Sequence, residues 1–282
     1  MPELPEVETT LRGLQPHLEG ATLAYVDIRA PMLRQPTPAA TALKGRHLSN
    51  LRRRNKYILM DTDDGHTLIL HLGMSGRLTI TNPASPLLKH DHVILRTTTG
   101  TEVRLHDPRR FGLFLLTPTA GLTNHPLLKD IGPEPLTDAF SPAYLHNALQ
   151  TKNIPIKVAL MDGRLVAGIG NIYASESLFH ARLNPLIPAK TLTLAQCTTL
   201  VASIRTILNA ALAAGGSSLA DFAHSDGQLG YFQHSFQVYG RAGQPCHICG
   251  TAITSQVLAQ RSTFWCPKDQ PFPKPLRQAK SR

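Results

Sequence analysis

Three cysteines near the C-terminus constrain the fold of this chain more than any other feature. Cys246 and Cys249 are separated by two residues, and Cys266 follows after a further sixteen. This spacing is typical of a zinc ribbon, in which two ligand-bearing turns bind one metal ion and pin a β-hairpin. The sequence therefore predicts a hairpin over residues 254–264 and one structural zinc ion.

The fourth ligand position of this site does not hold a cysteine. The position that would complete a second Cys-x-x-Cys pair is occupied by Asp269. A carboxylate is an acceptable zinc ligand, so the predicted ligand set is Cys246, Cys249, Cys266 and Asp269. The alternative is a finger that has lost its metal. Cys197 lies far from this cluster in a predicted helix, where a small buried core residue is expected.

The charge balance of the chain bears on its partner. The 282 residues include 29 Lys and Arg against 19 Asp and Glu, giving a formal net charge of +10. Such an excess favours a polyanion, most often nucleic acid. No apolar run approaches the roughly 18 residues of a membrane helix, and no signal peptide is recognisable. We therefore expect a soluble intracellular protein and no membrane partner.

The first half of the chain predicts an antiparallel β-sandwich preceded by one helix. Leu4, Val7 and Leu11 recur at helical spacing, and Pro16 is expected to end that helix. Turn sequences then separate short β-forming segments, as in hairpins. The predicted strands are Thr22–Ile28, Tyr57–Met60, Thr67–Leu72, Val93–Thr97, Glu102–Leu105 and Phe111–Leu116.

The second half of the chain predicts helices. A Pro- and Gly-rich stretch at 117–135 marks the boundary, and we expect domains at 1–132, 133–240 and 241–282. Ser141 and Thr193 are predicted helix caps. The predicted helices span residues 142–150, 156–161, 172–179 and 194–214. A loop is expected at 217–240.

The N-terminus carries a possible nucleophile. If Met1 is removed, Pro2 presents a secondary amine, and an α-amino group has a pKa of about 7.7–8.0. Such an amine can attack a sugar aldehyde carbon to give an iminium ion, and Glu3 beside it can move protons. The alternative is an ordinary amphipathic helix with acidic residues at its N-terminal end.

Basic residues suggest phosphate contacts. Arg52, Arg54 and Lys56 would share one side of a strand, and with the histidines and arginines of this half could form a basic groove between the two halves. Arg261, near the tip of the predicted hairpin, suits phosphate recognition. The sequence Gly168-Ile169-Gly170-Asn171 could offer backbone N–H groups to a phosphate. The alternatives are that the basic residues are ordinary solvated surface charges and that the glycines only allow close packing of helices.

Together these segments resemble formamidopyrimidine-DNA glycosylase. The resemblance runs in order from residue 2 to about residue 268. It is carried by Met1–Thr9, His71–Gly76, Lys89–His92, Asp107–Gly112, Gly170–Glu176, Gln237–Arg241 and the cysteine hairpin. The sister group, endonuclease VIII, shares the helix-two-turn-helix and the finger but normally has Gly where Leu4 stands.

The resemblance implies a fold and an activity. The fold would be α+β, with an N-terminal antiparallel β-sandwich, a helix-two-turn-helix domain and a zinc-ribbon finger. The activity would be removal of oxidised purines, chiefly 8-oxoguanine and formamidopyrimidines, from duplex DNA, followed by strand cleavage at the abasic site. The enzyme would be a monomer of the bacterial cytoplasm, associated with the nucleoid.

The resemblance also implies residue roles. The catalytic set would be Pro2, Glu3, Lys56 and Arg261. The DNA contacts would be His71, His90, Arg109, Lys152, Asn171 and Tyr239. Extrusion of a nucleotide leaves a gap that wedge-like side chains can fill, and Met74, Arg109 and Phe111 would do so. Residues 217–239 would close over the damaged base, although Ala220 stands where some relatives carry a basic residue.

Two other functions stay open at this point. An endonuclease VIII-like enzyme would act on oxidised pyrimidines, and Leu4 argues against it. A DNA-binding protein without catalysis would use the finger and the basic residues as an anchor. The joint presence of Pro2, Glu3, Lys56 and Arg261 argues against that alternative.

Overall fold

The computed structural model describes residues 1–217 and 230–273 of the chain. The predicted loop at 217–239 therefore lies largely outside the described residues, as do Ala220 and the basic tail from residue 274. The chain divides into two compact units, one built from Met1–Glu134 and Leu208–Ser235, the other from Pro135–Ile207 and the chain from Phe236. No helix in the described ranges has the length and apolar character needed to cross a bilayer.

The first unit opens with helix α1, Leu4–Leu18. The prediction that Pro16 ends this helix is wrong, because α1 continues for two residues beyond it. Proline in the last turn removes only one intrahelical hydrogen bond, whereas Leu14 and Leu18 on the same helix are fully buried. Burial of these leucines therefore outweighs the missing donor.

Two antiparallel four-stranded sheets follow, which confirms the predicted fold class. The first sheet has the strand order β1-β6-β7-β5 and the second β2-β3-β4-β8. Both predicted hairpin turns are present, joining β3 to β4 and β6 to β7. The strands are β1 Leu23–Ile28, β2 Leu48–Arg54, β3 Tyr57–Thr62, β4 His66–His71, β5 Arg77–Thr81, β6 Asp91–Thr97, β7 Glu102–His106 and β8 Leu113–Pro118.

One hydrophobic cluster holds this unit together. It contains Leu11 of α1, Val93 and Val103 of the first sheet, and Ile58 and Leu70 of the second, each at most 3% exposed. Removing a buried leucine or isoleucine side chain from such a core costs about 2–5 kcal/mol. The shared core fixes the loops that leave the sheets, and several predicted site residues lie on those loops.

The second unit is helical, and both predicted helix caps are present. Ser141 Oγ accepts from Tyr144 N at 3.1 Å, and Thr193 Oγ1 accepts from Gln196 N at 3.2 Å. The longest helix ends before Gly215 and Gly216, which both adopt positive φ. The helices are α2 Pro142–Leu149, α3 Ile156–Leu160, α4 Asn171–His180 and α5 Leu194–Ala213, of which the residues from Leu208 belong to the first unit.

The predicted finger hairpin is confirmed as strands β9 and β10. These strands are Thr254–Leu258 and Arg261–Trp265, paired antiparallel. Ala259 and Gln260 between them both have positive φ, as a tight two-residue hairpin turn requires. A small apolar cluster of Phe179, Val238, Cys246, Ile253 and Cys266 packs beside the hairpin.

Candidate functional site

The predicted site residues fall into two groups, one in each compact unit. Pro2, Glu3, Lys56, His71, Met74, His90, Arg109 and Phe111 lie in the first unit. Lys152, Asn171, Tyr239, Cys246, Cys249, Arg261, Cys266 and Asp269 lie in the second.

The N-terminal residues are buried and tied to helix α1. Pro2 is buried, and Glu3 is 3% exposed. Glu3 N–H donates to Glu6 Oε2 at 2.9 Å, and Glu3 O accepts from Val7 N at 3.1 Å. The first turn of α1 therefore fixes the backbone on which Pro2 and Glu3 stand.

Glu6 also links this turn to a distant segment. Its Oε1 accepts from both the backbone N–H and the hydroxyl of Ser217, at 2.8 and 2.9 Å. Glycine is favoured at the neighbouring position 216, because φ is +76° and a Cβ there would lie 3.2 Å from Glu6 Oε1. Glu6 therefore fixes the backbone at Ser217. No sequence pattern pointed to this contact.

Lys56 lies at the turn between β2 and β3. The prediction that it alternates with Arg52 and Arg54 along a strand is wrong, because β2 ends at Arg54 and Asn55 turns the chain with a φ of 57°. Glu134 fixes the turn by accepting from Asn55 N and Arg54 Nη1, both at 2.8 Å. The turn, and not strand alternation, positions Lys56.

The arginine run before Lys56 is not an open basic face. Arg52 pairs with Asp61 at 2.9 Å, and Arg53 pairs with both Glu8 and Glu134. Their charge is therefore partly neutralised within the first unit. The contribution of this run to any basic groove is smaller than the sequence predicts.

His71 is a neutral imidazole placed near Lys56. It ends β4 opposite Tyr57, with their rings 5.0 Å apart, and its Nδ1 accepts from Gly73 N at 2.9 Å. Burial, with the charges of Lys56 and Arg34, lowers the pKa of His71 from 6.5 to about 4. Since Nδ1 is an acceptor, Nε2 carries the proton and can donate.

Two loops carry the predicted wedge residues, and Asp107 joins them. Its carboxylate accepts from Ser75 Oγ at 2.9 Å and from Gly112 N at 2.8 Å. A Cβ at Gly73 would lie 2.5 Å from the backbone of Phe111, so only glycine permits this approach. The two loops that bear Met74 and Phe111 therefore form one rigid piece.

Phe111 and Arg109 are exposed at the end of that piece. Phe111 is 45% exposed, and the Arg109 guanidinium carbon lies 4.8 Å from its ring centroid. Exposed phenylalanine in a well-anchored loop suits contact with another molecule more than core packing. His90 is partly buried, with its ring centroid 6.0 Å from that of His92 and 5.9 Å from that of His106.

In the second unit, Asn171 starts helix α4 and is bonded to the finger hairpin. Its Nδ2 donates to Ser262 O at 3.0 Å. Lys157, which sequence reasoning missed, donates from a buried Nζ to Asn171 Oδ1, to Ser262 O at 2.9 Å and to Thr263 Oγ1 at 2.7 Å. Arg261 directly precedes the two anchored hairpin residues. Lys152 Nζ lies 3.9 Å from Asp162 Oδ2.

Tyr239 is fixed by a second missed residue. Buried Glu176 accepts from the backbone N–H groups of Gln237, Val238 and Tyr239, at 2.9, 3.0 and 2.8 Å. Burial raises the pKa of Glu176, against the effect of these three hydrogen bonds. The Tyr239 ring packs edge-on against Phe264 at 5.3 Å. Glu176 lies inside the motif Gly170–Glu176, but the sequence does not show that it is buried or which groups it binds.

The four predicted zinc ligands come together. The ligand atoms of Cys246, Cys249, Cys266 and Asp269 lie within 4.8 Å of one another. Backbone N–H groups of Ile248 and Asp269 point at the sulfurs of Cys246 and Cys266, at 3.5 and 3.4 Å. Three thiols and a carboxylate form a donor set that fits zinc.

The ionisation of Asp269 and the position of His247 both fit this ligand set. Hydrogen bonds from the Cys249 and Cys246 thiols lower the pKa of Asp269 to about 2, so its carboxylate is ionised at neutral pH. His247 is not part of the cluster, since its Nδ1 contacts Gln237 Oε1 at 3.2 Å. The structure therefore places Asp269, and not His247, with the three cysteines.

Comparison with known proteins gives matches along almost the whole chain. Residues 1–114 match the formamidopyrimidine-DNA glycosylase N-terminal domain, 131–223 its H2TH domain, and 243–271 the zinc finger found in FPG and IleRS. Formamidopyrimidine-DNA glycosylase of Thiobacillus denitrificans is 52% identical, and the alignment covers 96% of this chain and all of that protein.

Solved structures give the same result. MutM (Fpg) from Thermus thermophilus aligns with a TM-score of 0.86 and 39% identity, over 95% of this chain and 98% of that one. A Lactococcus lactis Fpg variant in complex with Fapy-dG-containing DNA aligns with a TM-score of 0.89 and 33% identity, over 96% and 100%. This chain belongs to the formamidopyrimidine-DNA glycosylase family.

Proposed function

We propose that this protein removes oxidised purines, chiefly 8-oxoguanine and formamidopyrimidines, from duplex DNA and then cleaves the strand at the abasic site. The observation that carries the proposal is the full-length family match together with a Pro2–Glu3 start buried at the head of helix α1. DNA with a Fapy-dG lesion is bound in the related Lactococcus lactis structure. The positive net charge of +10 suits such a partner.

Pro2 is the proposed nucleophile. Removal of Met1 leaves a secondary amine, a substantial fraction of which is unprotonated near neutral pH because α-amino groups have pKa values of about 7.7–8.0. The amine would attack C1′ of the extruded nucleotide, the base would leave with a proton, and a Schiff base would form. Helix α1 supports this step by fixing the backbone on which Pro2 stands.

Glu3 is the proposed acid and base. Its side chain is almost completely buried next to Pro2, so a proton can move between it and the sugar without exchange with bulk water. Opening of the sugar ring needs a proton on the ring oxygen, and a neighbouring carboxylic acid can supply it. Hydrogen bonding of the Glu3 backbone to Glu6 keeps it in position.

Lys56 and Arg261 are the proposed partners in strand cleavage and phosphate binding. Each stands at or beside a hairpin turn that other residues hold. Glu134 anchors the Lys56 turn, and Lys157 anchors the hairpin residues that follow Arg261. Cations on anchored turns suit phosphate groups flanking an extruded nucleotide, because little backbone freedom is then lost on binding.

The remaining site residues are proposed DNA contacts. His71, His90, Arg109, Lys152, Asn171 and Tyr239 would contact the DNA, and Met74, Arg109 and Phe111 would fill the gap left by extrusion. Base extrusion costs a few kcal/mol, which the inserted side chains partly offset. The exposure of Phe111 and its stacking with Arg109 support this role.

The zinc finger has a structural part in this scheme. Cys246, Cys249, Cys266 and Asp269 would hold one zinc ion, which would stabilise the small hairpin that carries Arg261. We further propose that the enzyme is a monomer and acts in the bacterial cytoplasm, where its DNA substrate is. The proposed domains remain 1–132, 133–240 and 241–282, with the active-site amine in the first.

Borohydride trapping tests the proposed function. Reduction of the Schiff base should join the protein covalently to duplexes with 8-oxoguanine or an abasic site, and mass mapping should place the adduct on Pro2. Retention of one extra N-terminal residue should abolish trapping, whereas Pro2→Gly, which keeps an α-amine, should retain part of it. Full trapping by the extended protein, or an adduct on a lysine, would contradict the assignment of Pro2.

A lesion panel distinguishes the alternatives. An oxidised-purine enzyme should excise 8-oxoguanine and formamidopyrimidines faster than oxidised pyrimidines, and the reverse order would favour the endonuclease VIII-like alternative. A DNA-binding protein without catalysis would bind the duplexes but give neither excision nor a covalent adduct.

A further inference from the structure

The two carboxylate oxygens of Asp269 have different partners. Oδ2 faces the ligand cluster, 3.1 Å from Cys246 Sγ and 3.4 Å from Cys266 Sγ. Oδ1 lies 2.8 Å from Nη1 of Arg182 and forms an ion pair with it. The carboxylate therefore presents one oxygen to the sulfurs while the guanidinium holds the other.

Arg182 is itself held in place by the end of helix α4. It follows Ala181, the C-terminal cap of that helix, and adopts a φ of 57° while its N–H donates to Phe179 O at 3.0 Å. Its guanidinium carbon lies 5.7 Å from the Phe179 ring centroid. Phe179 belongs to the apolar cluster that contains Cys246 and Cys266. The arginine is thus positioned against the same core that supports the ligands.

Leu183 and Asn184, which follow Arg182, form hydrogen bonds with Gln270, the residue after Asp269. Gln270 is fully buried, and its Nε2 donates to Leu183 O at 2.7 Å. Its backbone O accepts from Asn184 Nδ2 at 2.8 Å, and its Oε1 accepts from Cys266 N at 3.0 Å. These hydrogen bonds fix the two backbone segments that carry Arg182 and Asp269, so the half-exposed Arg182 side chain starts from a position within reach of the carboxylate.

A carboxylate ligand is less constrained than a thiolate, because it can bind a metal through one oxygen or through both. A hydrogen-bonded cation on the outer oxygen removes the second mode and fixes the orientation of the first. It also offsets charge, since three thiolates and a carboxylate carry more negative charge than a zinc dication neutralises. A fourth cysteine would need no such partner to select one binding mode.

We propose that Arg182 is a positioning residue of the zinc site, which holds Asp269 so that Oδ2 alone completes the ligand set. The proposal concerns metal binding and does not depend on the glycosylase activity. Removal of the guanidinium should then weaken zinc binding by about 10–100-fold, the effect that loss of such an outer hydrogen bond usually has.

Metal binding by the full-length protein tests the proposal. Competition with a chromophoric chelator would give zinc affinities for wild type, Arg182→Met, Arg182→Lys and Asp269→Cys, and Co²⁺ substitution would report coordination from its absorption bands. Arg182→Met removes the guanidinium, and with it both the ion pair to Asp269 and the contact with the Phe179 ring, but keeps an unbranched side chain. We expect weaker zinc binding and altered Co²⁺ bands in Arg182→Met, with partial recovery in Arg182→Lys. Arg164→Met, at an exposed arginine of the same unit, is the charge-matched control.

The Asp269→Cys variant serves as a second background, which distinguishes a positioning role of Arg182 from a role in folding. In Asp269→Cys the fourth ligand is a thiolate, so adding Arg182→Met should change the zinc affinity by less than about threefold, because the outer hydrogen bond is no longer needed. An equal loss in both backgrounds would overturn the proposal, since Arg182 would then act on the fold alone. Wild-type affinity in Arg182→Met or in Asp269→Ala would overturn it as well.

Discussion

Glu6 Oε1 accepts hydrogen bonds from both the backbone N–H and the hydroxyl of Ser217, a residue 211 positions along the chain. The other oxygen of the same carboxylate accepts from Glu3 N–H at 2.9 Å. One buried side chain therefore connects the backbone of the proposed catalytic acid to the start of the segment predicted to close over the damaged base.

Replacement of this carboxylate by an amide should be costly. Glu6→Gln turns one acceptor into a donor that faces another donor, so at least one buried N–H loses its partner. We expect the free energy of unfolding to fall by about 1–3 kcal/mol in urea titrations. Ser217→Ala removes the hydroxyl but keeps the backbone bond, and its effect should be smaller. Equal effects of the two substitutions would contradict this view of the contact.

Glu3→Gln should separate binding from chemistry. The amide keeps the size of the side chain but cannot deliver a proton, so single-turnover base excision should fall by about 10²–10⁴-fold while lesion DNA still binds. Gel-shift and excision assays on the same duplex measure the two properties. Excision close to the wild-type rate would remove Glu3 from the mechanism.

Lys157 should act on DNA binding through Arg261. Arg261→Ala should weaken binding to all duplexes and reduce the slope of log K against log salt by about 0.9, the contribution of one phosphate contact. Lys157→Met leaves the acceptors Ser262 O and Thr263 Oγ1 without their cation and should reduce the same slope.

A double variant checks the connection between these two residues. If Lys157 serves to place Arg261, the effect of Lys157→Met on the salt slope should disappear in the Arg261→Ala background. Additive effects would show that Lys157 acts on DNA binding by another route.

His71 should make the protein less stable in mild acid. Its pKa is about 4 in the folded protein and 6.5 ordinarily, so protons bind preferentially to the unfolded chain. The stabilising effect of the neutral imidazole is complete above pH 6.5 and is lost as the pH falls toward 4. Between pH 7.5 and 5 it should lower the free energy of unfolding by about 2 kcal/mol.

His71→Asn provides the measurement. Asparagine can still accept from Gly73 N but does not titrate, so its unfolding free energy should fall less over this pH range than that of wild type. His47→Asn, at an exposed histidine, should follow wild type. A parallel pH dependence of wild type and His71→Asn would contradict the lowered pKa.

Much of the fold could be predicted because its signals are local. Ser141 and Thr193 cap helices in the structure as their sequence contexts predict, and the Asp61–Gly65 turn joins β3 to β4. Strand β5 and the end of helix α1 could not be predicted, because burial in a shared core decides such elements and burial depends on residues far away in sequence.

The candidate site could likewise be predicted only in part from the sequence. The family motifs identify Pro2, Glu3, Lys56 and Arg261 as candidates, but they do not reveal what holds these residues. Glu134 at the Lys56 turn, Lys157 beside Arg261 and Glu176 behind Tyr239 carry no local signal of their partners. A buried charged group becomes recognisable only when its hydrogen-bond partners are known.

By itself the sequence determined the family and the positions of the helix caps and turns, through the spacing of the cysteines and the order of the motifs. These depend on residue type at short separations, where backbone geometry is fixed by one or two neighbours. Only the tertiary structure decided that Glu6 meets Ser217, that Lys157 meets Thr263 at a separation of 106 residues, and that Arg182 holds Asp269. Such pairs form when the packing of a core brings distant segments together, and no pattern at short range encodes them.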